Sequence, residues 1–469
     1  MIIWTAQEAQ KATGCKLLGE QNWEAMSICI DSRLAKKGDL FVALKGTKTD
    51  GHDYIREAFL KGAAAIMVER APQNFSQFSP MMQVENCIDA LYSMALFRRI
   101  QSTAKIIAVT GSVGKTSTKD MLNIAFANFG LTHYSFGNNN NEIGAPLSLA
   151  RMPQDAEYGI FELGMNHPGE IAPLSKLIRP SIAVITTVAE VHIENFKSMQ
   201  DVAAAKSEIF EGMDKEGTAI LNADNEFYEF LFRKARARKL RTISFGEAEN
   251  ADVRLLEHKD KLKKSFVLAS IAGREIGFDI SARGKHMALN ALAALAAVHA
   301  AGLNIEEAAA SLSAFSASAG RGQISHITLG DKNITLLDDS YNASPLSMRT
   351  ALENLGAIET KGRRVAVIGD MLELGDKSLS LHLALESDIL RNQIDKVYTV
   401  GENFGKLLER LPKKTQGQAF ATVDEVIQTL QSELKNDDVV LIKSSHGTGL
   451  YKLADKLTKF ENRIKEDAV

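Results

Sequence analysis

The segment that decides the fold is Ile106-Ile107-Ala108-Val109-Thr110-Gly111-Ser112-Val113-Gly114-Lys115-Thr116-Ser117-Thr118. Its first five residues form a continuous apolar run, which is typical of a strand covered on both faces of a parallel sheet. Two glycines and a lysine follow, and we expect a helix to begin there. The backbone N–H groups of such a loop and the helix N-terminus can surround a phosphate group. The segment therefore predicts an α/β domain that binds a nucleoside triphosphate.

The loop residues have expected roles. Lys115 would neutralise the β- and γ-phosphates, and the Thr116 hydroxyl would bind Mg²⁺. The residues predicted to contact the nucleotide are Thr110, Gly111, Ser112, Val113, Gly114, Lys115, Thr116 and Ser117. Where the general phosphate-loop pattern has its first glycine, this chain has Val109, so the loop is a shortened variant. The alternative is a glycine-rich turn that binds no nucleotide.

The composition is that of a globular protein, with 469 residues, 45% of them hydrophobic and 24% charged. This length suggests about three domains. The formal net charge of −3 gives no reason to expect a nucleic acid or an acidic membrane as partner. Basic stretches at 233–241 and 258–264 are short and flanked by acids, so they are interpreted as solvated faces. We expect small-molecule substrates.

Three segments of different character indicate three domains, at 1–84, 85–316 and 317–469. A polar, proline-flanked stretch at 71–80 supports the first boundary, and small residues at 313–322 support the second. The predicted strands are 39–44 and 63–68 in the first domain, 106–110, 159–163 and 182–186 in the second, and 364–370, 396–401 and 439–443 in the third. A helix is predicted at 288–301, ended by Gly302. The expected fold class is α/β, with a small first domain, a central parallel-sheet domain and a Rossmann-like third domain.

The cellular location is inferred from what the N-terminus and the cysteines lack. The first residues have neither a basic start nor a long apolar core, and no stretch has the roughly 18 apolar residues needed to span a bilayer. The three cysteines have neither zinc-site nor disulfide spacing. We therefore expect a cytoplasmic protein without membrane insertion.

Three residues beyond the loop are candidates for metal chemistry. Glu162 ends a predicted apolar strand, where a carboxylate is costly to bury unless it meets a cation, so it could share Mg²⁺ with Thr116. The alternative is a carboxylate that caps the next helix. By themselves, His192 indicates an ordinary loop or core histidine, and Lys206 indicates an exposed lysine on a helix.

Four further segments carry a family resemblance. They are Gly137-Asn138-Asn139-Asn140-Asn141-Glu142-Ile143-Gly144-Ala145-Pro146, Glu162-Leu163-Gly164-Met165-Asn166-His167-Pro168-Gly169-Glu170-Ile171, Asp338-Asp339-Ser340-Tyr341-Asn342-Ala343-Ser344-Pro345 and Gly369-Asp370-Met371-Leu372-Glu373-Leu374-Gly375. Together with the phosphate loop, they resemble the Mur ligase family, which shares its fold with folylpolyglutamate synthetases. The resemblance runs through the whole chain and is greatest to the members that add D-alanyl-D-alanine.

The resemblance implies roles for residues that the chemistry alone leaves open. It implies that His192 is a ligand of a second Mg²⁺ and that Lys206 is carbamylated by CO₂, which makes it a carboxylate-like metal ligand. Asn290 would lie near the adenine, and Arg321 would reach the ATP phosphates. Asp338 and Tyr341 would close over the ribose and phosphates. The catalytic residues would be Lys115, Lys206, His192 and Arg321.

The resemblance also implies a UDP-binding first domain. Its candidate residues are Ser32, Arg33, Gly46, Asp50 and His52, and Asn138 and Asn139 could meet the sugar or pyrophosphate. Two departures stand out: the family usually has Asn at the position of Ser344, and Gly-Ser-Arg-Gly where this chain has Ser444-Ser445-His446-Gly447. The second departure leaves the role of His446 open.

The expected activity is an ATP- and Mg²⁺-dependent ligation of D-alanyl-D-alanine to UDP-N-acetylmuramoyl-tripeptide through an acyl phosphate, by a monomer. One alternative is another amino-acid ligase of the same fold. The other is a phosphate-loop ATPase that is not a ligase, which would hydrolyse ATP steadily without an amine acceptor.

Overall fold

The computed structural model describes residues 1–47, 49–72, 79–191, 193–261 and 264–466. The strands are β1 (Trp4–Thr5), β2 (Lys16–Leu18), β3 (Glu24–Ala25), β4 (Ser27–Cys29), β5 (Asp39–Val42), β6 (Ala65–Val68), β7 (Met81–Gln83), β8 (Lys105–Thr110), β9 (Thr132–Tyr134), β10 (Tyr158–Glu162), β11 (Ile182–Ile185), β12 (Thr218–Asn222), β13 (Arg241–Gly246), β14 (Val253–Asp260), β15 (Ser265–Ile271), β16 (Arg274–Ile280), β17 (Gln323–Leu329), β18 (Lys332–Asp338), β19 (Arg364–Gly369), β20 (Lys396–Val400), β21 (Gln416–Phe420) and β22 (Val439–Lys443).

The helices alternate with these strands along most of the chain. They are α1 (Ala6–Thr13), α2 (Ile55–Leu60), α3 (Cys87–Gln101), α4 (Lys115–Phe126), α5 (Gly144–Ala150), α6 (Ile171–Ile178), α7 (Met199–Ser207), α8 (Tyr228–Ala237), α9 (Lys285–Ala300), α10 (Ile305–Ser311), α11 (Pro345–Gly356), α12 (Ser378–Leu383), α13 (Glu386–Arg391), α14 (Glu402–Arg410), α15 (Val423–Glu433) and α16 (Tyr451–Glu466). None of the helices in the described ranges is both long enough and apolar enough to cross a bilayer.

The central sheet has the order β16-β15-β14-β13-β12-β11-β8-β10-β9. Its strands from β9 to β14 pair in parallel, and β15 and β16 continue it as an antiparallel extension. In β8, Ile106 and Ala108 enter one apolar core while Ile107 and Val109 enter another. Because side chains alternate along a strand, this division shows that both faces of the sheet are covered. The predicted parallel sheet is confirmed.

The first region contains a smaller sheet with the order β2-β7-β6-β5-β4. Its residues Leu40 and Met67 belong to the same apolar cluster as Leu147 and Phe161 of the central region. The indole N–H of Trp4 donates to the Ala150 carbonyl at 2.8 Å. The first two regions therefore share one core, and the predicted boundary at residue 84 falls between β7 and α3.

The third region is a sheet with the order β17-β18-β22-β19-β20-β21, parallel except for β17. It is buried on both faces, by one cluster that contains Leu352 and Phe404 and another that contains Leu430 and Leu453. The Rossmann-like α/β class is confirmed. The sequence predicted only the strands β19, β20 and β22.

Candidate active site

A cavity of about 940 Å³ lies between the central region and the third region. Its walls are the phosphate loop, the asparagine-rich loop at 138–141, the carboxyl end of β10, the first turns of α9, the loop that follows β18, and the last residue of β22. Ligands of open α/β sheets bind at the carboxyl ends of the strands, so this is the expected location of an active site.

The phosphate loop connects β8 to α4, as the sequence predicted. Gly111 has a φ of 152°, and a Cβ there would lie 1.9 Å from Thr186 Oγ1. Gly114 has a φ of 84°, and its Cβ would lie 2.7 Å from Asn290 Oδ1. Only glycine fits both positions, and the close approach leaves backbone N–H groups facing the cavity at the start of α4. This cradle fits a phosphate group.

Lys115 supplies the positive charge of the loop. Its Nζ donates to the Gly111 carbonyl at 2.7 Å, so the side chain folds back over the loop. Burial lowers the pKa of Lys115; the nearby Glu162 carboxylate opposes this effect and Arg321 adds to it. A cation held in such a poorly solvated place gains strongly from an anionic partner.

The Glu162 carboxylate lies at the end of β10 and is only 1% exposed. Its Oε2 accepts a hydrogen bond from Thr116 Oγ1 at 2.8 Å, and its Oε1 accepts one from Asn140 Nδ2 at 2.8 Å. The next helix begins at Ile171, so Glu162 does not cap it. A buried carboxylate beside a hydroxyl is a donor set that fits Mg²⁺, although this role stays a prediction.

Lys206 differs from the exposed lysine that its local sequence indicated. It lies on the buried side of α7, together with Val202, Ala203 and Ala205, and is only 4% exposed. Burial holds the pKa of Lys206 well below its usual value, and the positive charge of Lys115 lowers it further. The prediction of an exposed side chain was therefore wrong.

His192 lies outside the described residues, and its predicted metal role stays a prediction. Within the described ranges, no group of three His, Cys, Asp or Glu side chains is placed to hold a metal ion. A Mg²⁺ site there would need ligands from other sources, such as phosphate oxygens, the Thr116 hydroxyl or a modified lysine.

The third region contributes Arg321 and Tyr341 to the cavity wall. The Arg321 guanidinium lies 3.8 Å from the centre of the Tyr341 ring. Burial raises the pKa of Tyr341, while the charge of Arg321 and hydrogen bonding by Arg321 and Asn138 lower it. Asp338 is absent from the cavity wall; its Oδ2 accepts from the Gly320 N–H at 2.9 Å and so holds the segment that carries Arg321.

The structure adds residues that the sequence reasoning did not select. Lys443, at the end of β22, is buried and donates to Asp339 Oδ2 at 2.7 Å and to the Asn342 carbonyl at 2.9 Å. The signal was a charged residue at the end of an apolar strand, the same signal that selected Glu162. His446, whose role the sequence left open, stacks on Tyr451 with ring centres 4.7 Å apart and lies 5.8 Å from the Tyr341 ring.

Another missed residue is His286 in the first turn of α9. Burial lowers the pKa of His286 to about 4, with a further contribution from the positive charge of Lys443. The imidazole is therefore neutral near pH 7. Asn290, one turn further along α9, also lines the cavity.

The five first-domain candidates lie away from the described cavity wall. Arg33 is exposed and pairs with Asp31 at 2.7 Å, and His52 Nδ1 lies 2.7 Å from Asp50 Oδ1. Ser32 and Gly46 do not line the cavity either, whereas Ile30, just before this segment, does. Asn138 and Asn139 also line it. A substrate bound along the first region would therefore reach the cavity past Ile30.

Comparison with known proteins identifies the family. Family models match residues 24–99 ("Mur ligase family, catalytic domain"), 109–298 ("Mur ligase middle domain") and 320–446 ("Mur ligase, glutamate ligase domain"). The UDP-N-acetylmuramoyl-tripeptide–D-alanyl-D-alanine ligase of Rickettsia prowazekii (strain Madrid E) is 37% identical over 455 residues, which cover 97% of this chain and 99% of that protein. The chain belongs to the Mur ligase family. A Mur ligase of the same name from Escherichia coli (strain K12) is 34% identical, covering 90% of this chain and 92% of that protein.

Solved Mur ligase structures show the same fold. MurF from Acinetobacter baumannii has a TM-score of 0.83 at 30% identity, covering 97% of this chain and 99% of that one. MurF from Thermotoga maritima, solved in complex with ADP, has a TM-score of 0.75 at 28% identity, covering 93% and 98%. A folylpolyglutamate synthase from Mycobacterium tuberculosis has a TM-score of 0.59 at 15% identity, covering 78% and 93%, which shows the shared fold alone.

Proposed function

We propose that this Mur ligase joins D-alanyl-D-alanine to UDP-N-acetylmuramoyl-tripeptide and so makes the UDP-muramoyl-pentapeptide precursor of peptidoglycan. The observation that carries the proposal is one cavity in which the phosphate loop, the Glu162–Thr116 pair and Arg321 meet. Relatives that match nearly the whole chain carry the name of this activity. The proposed enzyme is a cytoplasmic monomer, with small-molecule substrates and neither nucleic acid nor membrane as partner.

In the proposed complex, the loop from Thr110 to Ser117 holds the ATP phosphates through its backbone N–H groups. Lys115 and Arg321 face the phosphates with their charges, and the fixed fork of the guanidinium suits phosphate oxygens. Asn290 reads the adenine edge because its amide both donates and accepts. Tyr341 covers the ribose. Asp338 acts indirectly, because its carboxylate accepts from the Gly320 N–H and so holds the Gly320–Arg321 segment in place.

The metal ligands of the proposed site come from the central region. Thr116 and Glu162 would hold one Mg²⁺, and His192 with carbamylated Lys206 would hold a second. Bound Mg²⁺ would offset the repulsion between the substrate carboxylate and the triphosphate. The lowered pKa of Lys206 supports its carbamylation, because only the neutral amine reacts with CO₂.

The proposed reaction has two steps. The terminal carboxylate of the tripeptide attacks the γ-phosphorus, which yields an acyl phosphate and ADP. The free amine of D-alanyl-D-alanine then attacks the acyl carbon, and the tetrahedral intermediate releases phosphate as the amide forms. Lys115 and Arg321 stabilise the negative charge on the transferring phosphoryl group, so the protein acts mainly by position and charge. Closure of the two regions over the cavity would keep water from the acyl phosphate.

The nucleotide end of the muramoyl substrate is proposed to bind the first region. Ser32, Arg33, Gly46, Asp50 and His52 are the candidates for UDP, with Arg33 near the diphosphate. Asn138 and Asn139 are the candidates for the sugar or pyrophosphate, because both already line the cavity.

The deciding experiment measures ADP release by the purified protein with Mg-ATP, UDP-N-acetylmuramoyl-tripeptide and D-alanyl-D-alanine, each omitted in turn. We expect turnover to need all three, and the product mass to grow by one dipeptide less one water. Equal ADP release without D-alanyl-D-alanine would show an ATPase. Turnover that needs a single amino acid in place of the dipeptide would show another ligase of the family.

A further inference from the structure

The carboxylate of Glu162 is held from two sides. Thr116 Oγ1 donates to Oε2 at 2.8 Å, and the side-chain amide of Asn140 donates to Oε1 at 2.8 Å. A carboxylate with a donor on each oxygen cannot rotate freely, yet each oxygen keeps a further lone pair. The remaining lone pairs therefore point in fixed directions.

Asn140 is itself held in place by the surrounding backbone. Its carbonyl accepts from the Gly164 N–H at 2.8 Å, two residues beyond Glu162. A Cβ at Gly164 would lie 2.7 Å from Asn140 Oδ1, so the amide packs directly against this glycine. At the start of the same loop, the buried Lys119 donates to the Gly137 carbonyl at 2.8 Å. The loop is thus attached at both ends of the asparagine run.

We propose that Asn140 is a positioning residue that orients the Glu162 carboxylate toward the metal ion of the ATP site. The inference rests on the proposed function for the presence of Mg-ATP, and it deepens that function by assigning a role to one more side chain. A neutral amide suits this task because it fixes the carboxylate without cancelling its charge, as a lysine or arginine there would do. Lys119, a buried cation of α4 that contacts this loop, is directed to Gly137 and Asp120 instead.

The side-chain contacts of Asn140 differ from those of its neighbours in the asparagine run 138–141. Asn138 faces Tyr341 across the cavity, and the Asn141 side chain accepts from the Gly144 N–H at 2.9 Å. Asn140 therefore has a contact with the carboxylate that the described neighbours do not share. Removal of a partner that orients a metal ligand commonly lowers metal affinity by about 10- to 100-fold.

The test is the Mg²⁺ dependence of ADP binding, measured by calorimetry on the full-length protein. Asn140→Ala should raise the Mg²⁺ concentration for half-maximal enhancement of ADP binding by about tenfold. ADP binding without Mg²⁺ should stay within about twofold of the wild type. Gly164→Ala should give the same change, because its methyl group displaces the same amide, and the double variant should be no worse than either single variant.

The matched control is Asn128→Ala, which removes an asparagine just after α4 whose side chain donates to the Ile124 and Ala125 carbonyls of that helix. It should leave the Mg²⁺ dependence unchanged. An unchanged Mg²⁺ dependence in folded Asn140→Ala and Gly164→Ala would overturn the inference, and a higher KM for the muramoyl substrate alone would place Asn140 in substrate binding instead. Because the readout is Mg-ADP binding, it is independent of whether the wild type ligates D-alanyl-D-alanine.

Discussion

At the scale of single residues, two buried side chains of the same type can differ in their partners and in their pKa. Lys206 and Lys119 are both buried lysines, but Lys119 donates to a carbonyl and lies near an aspartate, whereas the pKa of Lys206 is lowered by burial and by Lys115. The sequence alone could not distinguish them, because each reads as one lysine within a helix. Nor could it select Asn140 from four consecutive asparagines, since only the fold decides which one meets Glu162.

Lys206→Met should lower the ligation rate strongly and stabilise the fold. In bicarbonate-free buffer, the pKa of Lys206 is lower in the folded state than in the unfolded state, so the unfolded chain binds more protons between these two pKa values. Stability therefore rises with pH through that window, and the buried amine costs stability at pH 7. We expect the methionine variant to melt about 2–4 °C higher at pH 7, to lose this pH dependence, and to lose activity by about 100-fold.

Melting curves at pH 7 and pH 10, together with ADP-release rates, provide the measurement for Lys206→Met. Lys176→Met is the matched control, because Lys176 is exposed and pairs only at the surface with Glu211. A variant that keeps full activity would remove Lys206 from the proposed metal site. A lower melting temperature at pH 7 would contradict the stated cost of burial.

At the scale of elements, the sequence predicted those strands and loops whose structure depends on residues that are neighbours along the chain. The phosphate loop was predictable because glycine spacing, a preceding apolar strand and a following helix are all sequence properties. The strands β19, β20 and β22 were found because they are buried apolar runs in the middle of the sheet. The edge strands β17 and β21 were missed because each carries polar side chains that are exposed or half-buried and has no such run.

Gly111→Ala tests the phosphate loop. The added methyl group would lie 1.9 Å from Thr186 Oγ1, so the loop must move away from β11 and its N–H groups lose their alignment. We expect ADP affinity to fall by about 100-fold, which is about 2.7 kcal/mol. Isothermal calorimetry measures the loss directly.

Gly302→Ala is the control for this substitution. Gly302 lies two residues after the end of α9 and has a φ of 74°. A Cβ there would meet nothing within 4 Å. It should lower stability through backbone strain of about 1–2 kcal/mol and leave ADP affinity unchanged. If both variants bind ADP equally well, the loop does not hold the phosphates.

At the scale of the whole molecule, the third region meets the central region on several sides of the cavity. Arg283 donates to the Ala357 carbonyl at 3.3 Å, and the Glu194 N–H lies 3.5 Å from the Glu373 carbonyl. Asn138 of the central region and Tyr341 of the third region both line the cavity, and Asn138 lowers the pKa of the Tyr341 hydroxyl. No sequence pattern predicted these pairs, because their members are far apart in the chain and meet only when both regions have folded.

Tyr341→Phe should weaken this closed arrangement while its ring stays beneath Arg321. The loss of the polar interaction of this hydroxyl, at about 1 kcal/mol, corresponds to a roughly fivefold lower kcat if closure limits the reaction. Tyr398→Phe is the matched control, because its hydroxyl bonds Glu433 within the third region. Steady-state kinetics measure both variants, and equal kcat values would show that the Asn138–Tyr341 contact has no part in closure.

The apolar cluster that joins the first region to the central one limits how this enzyme can be recombined. Trp4 bonds Ala150, and the Arg151 guanidinium bonds the Ile28 carbonyl, so a cut at residue 84 would leave two halves of one core exposed. A chimaeric ligase that takes its first region from a relative must therefore bring the matching α5 surface with it. The third region has its own apolar clusters on both faces of its sheet, so it can be exchanged between relatives as a whole.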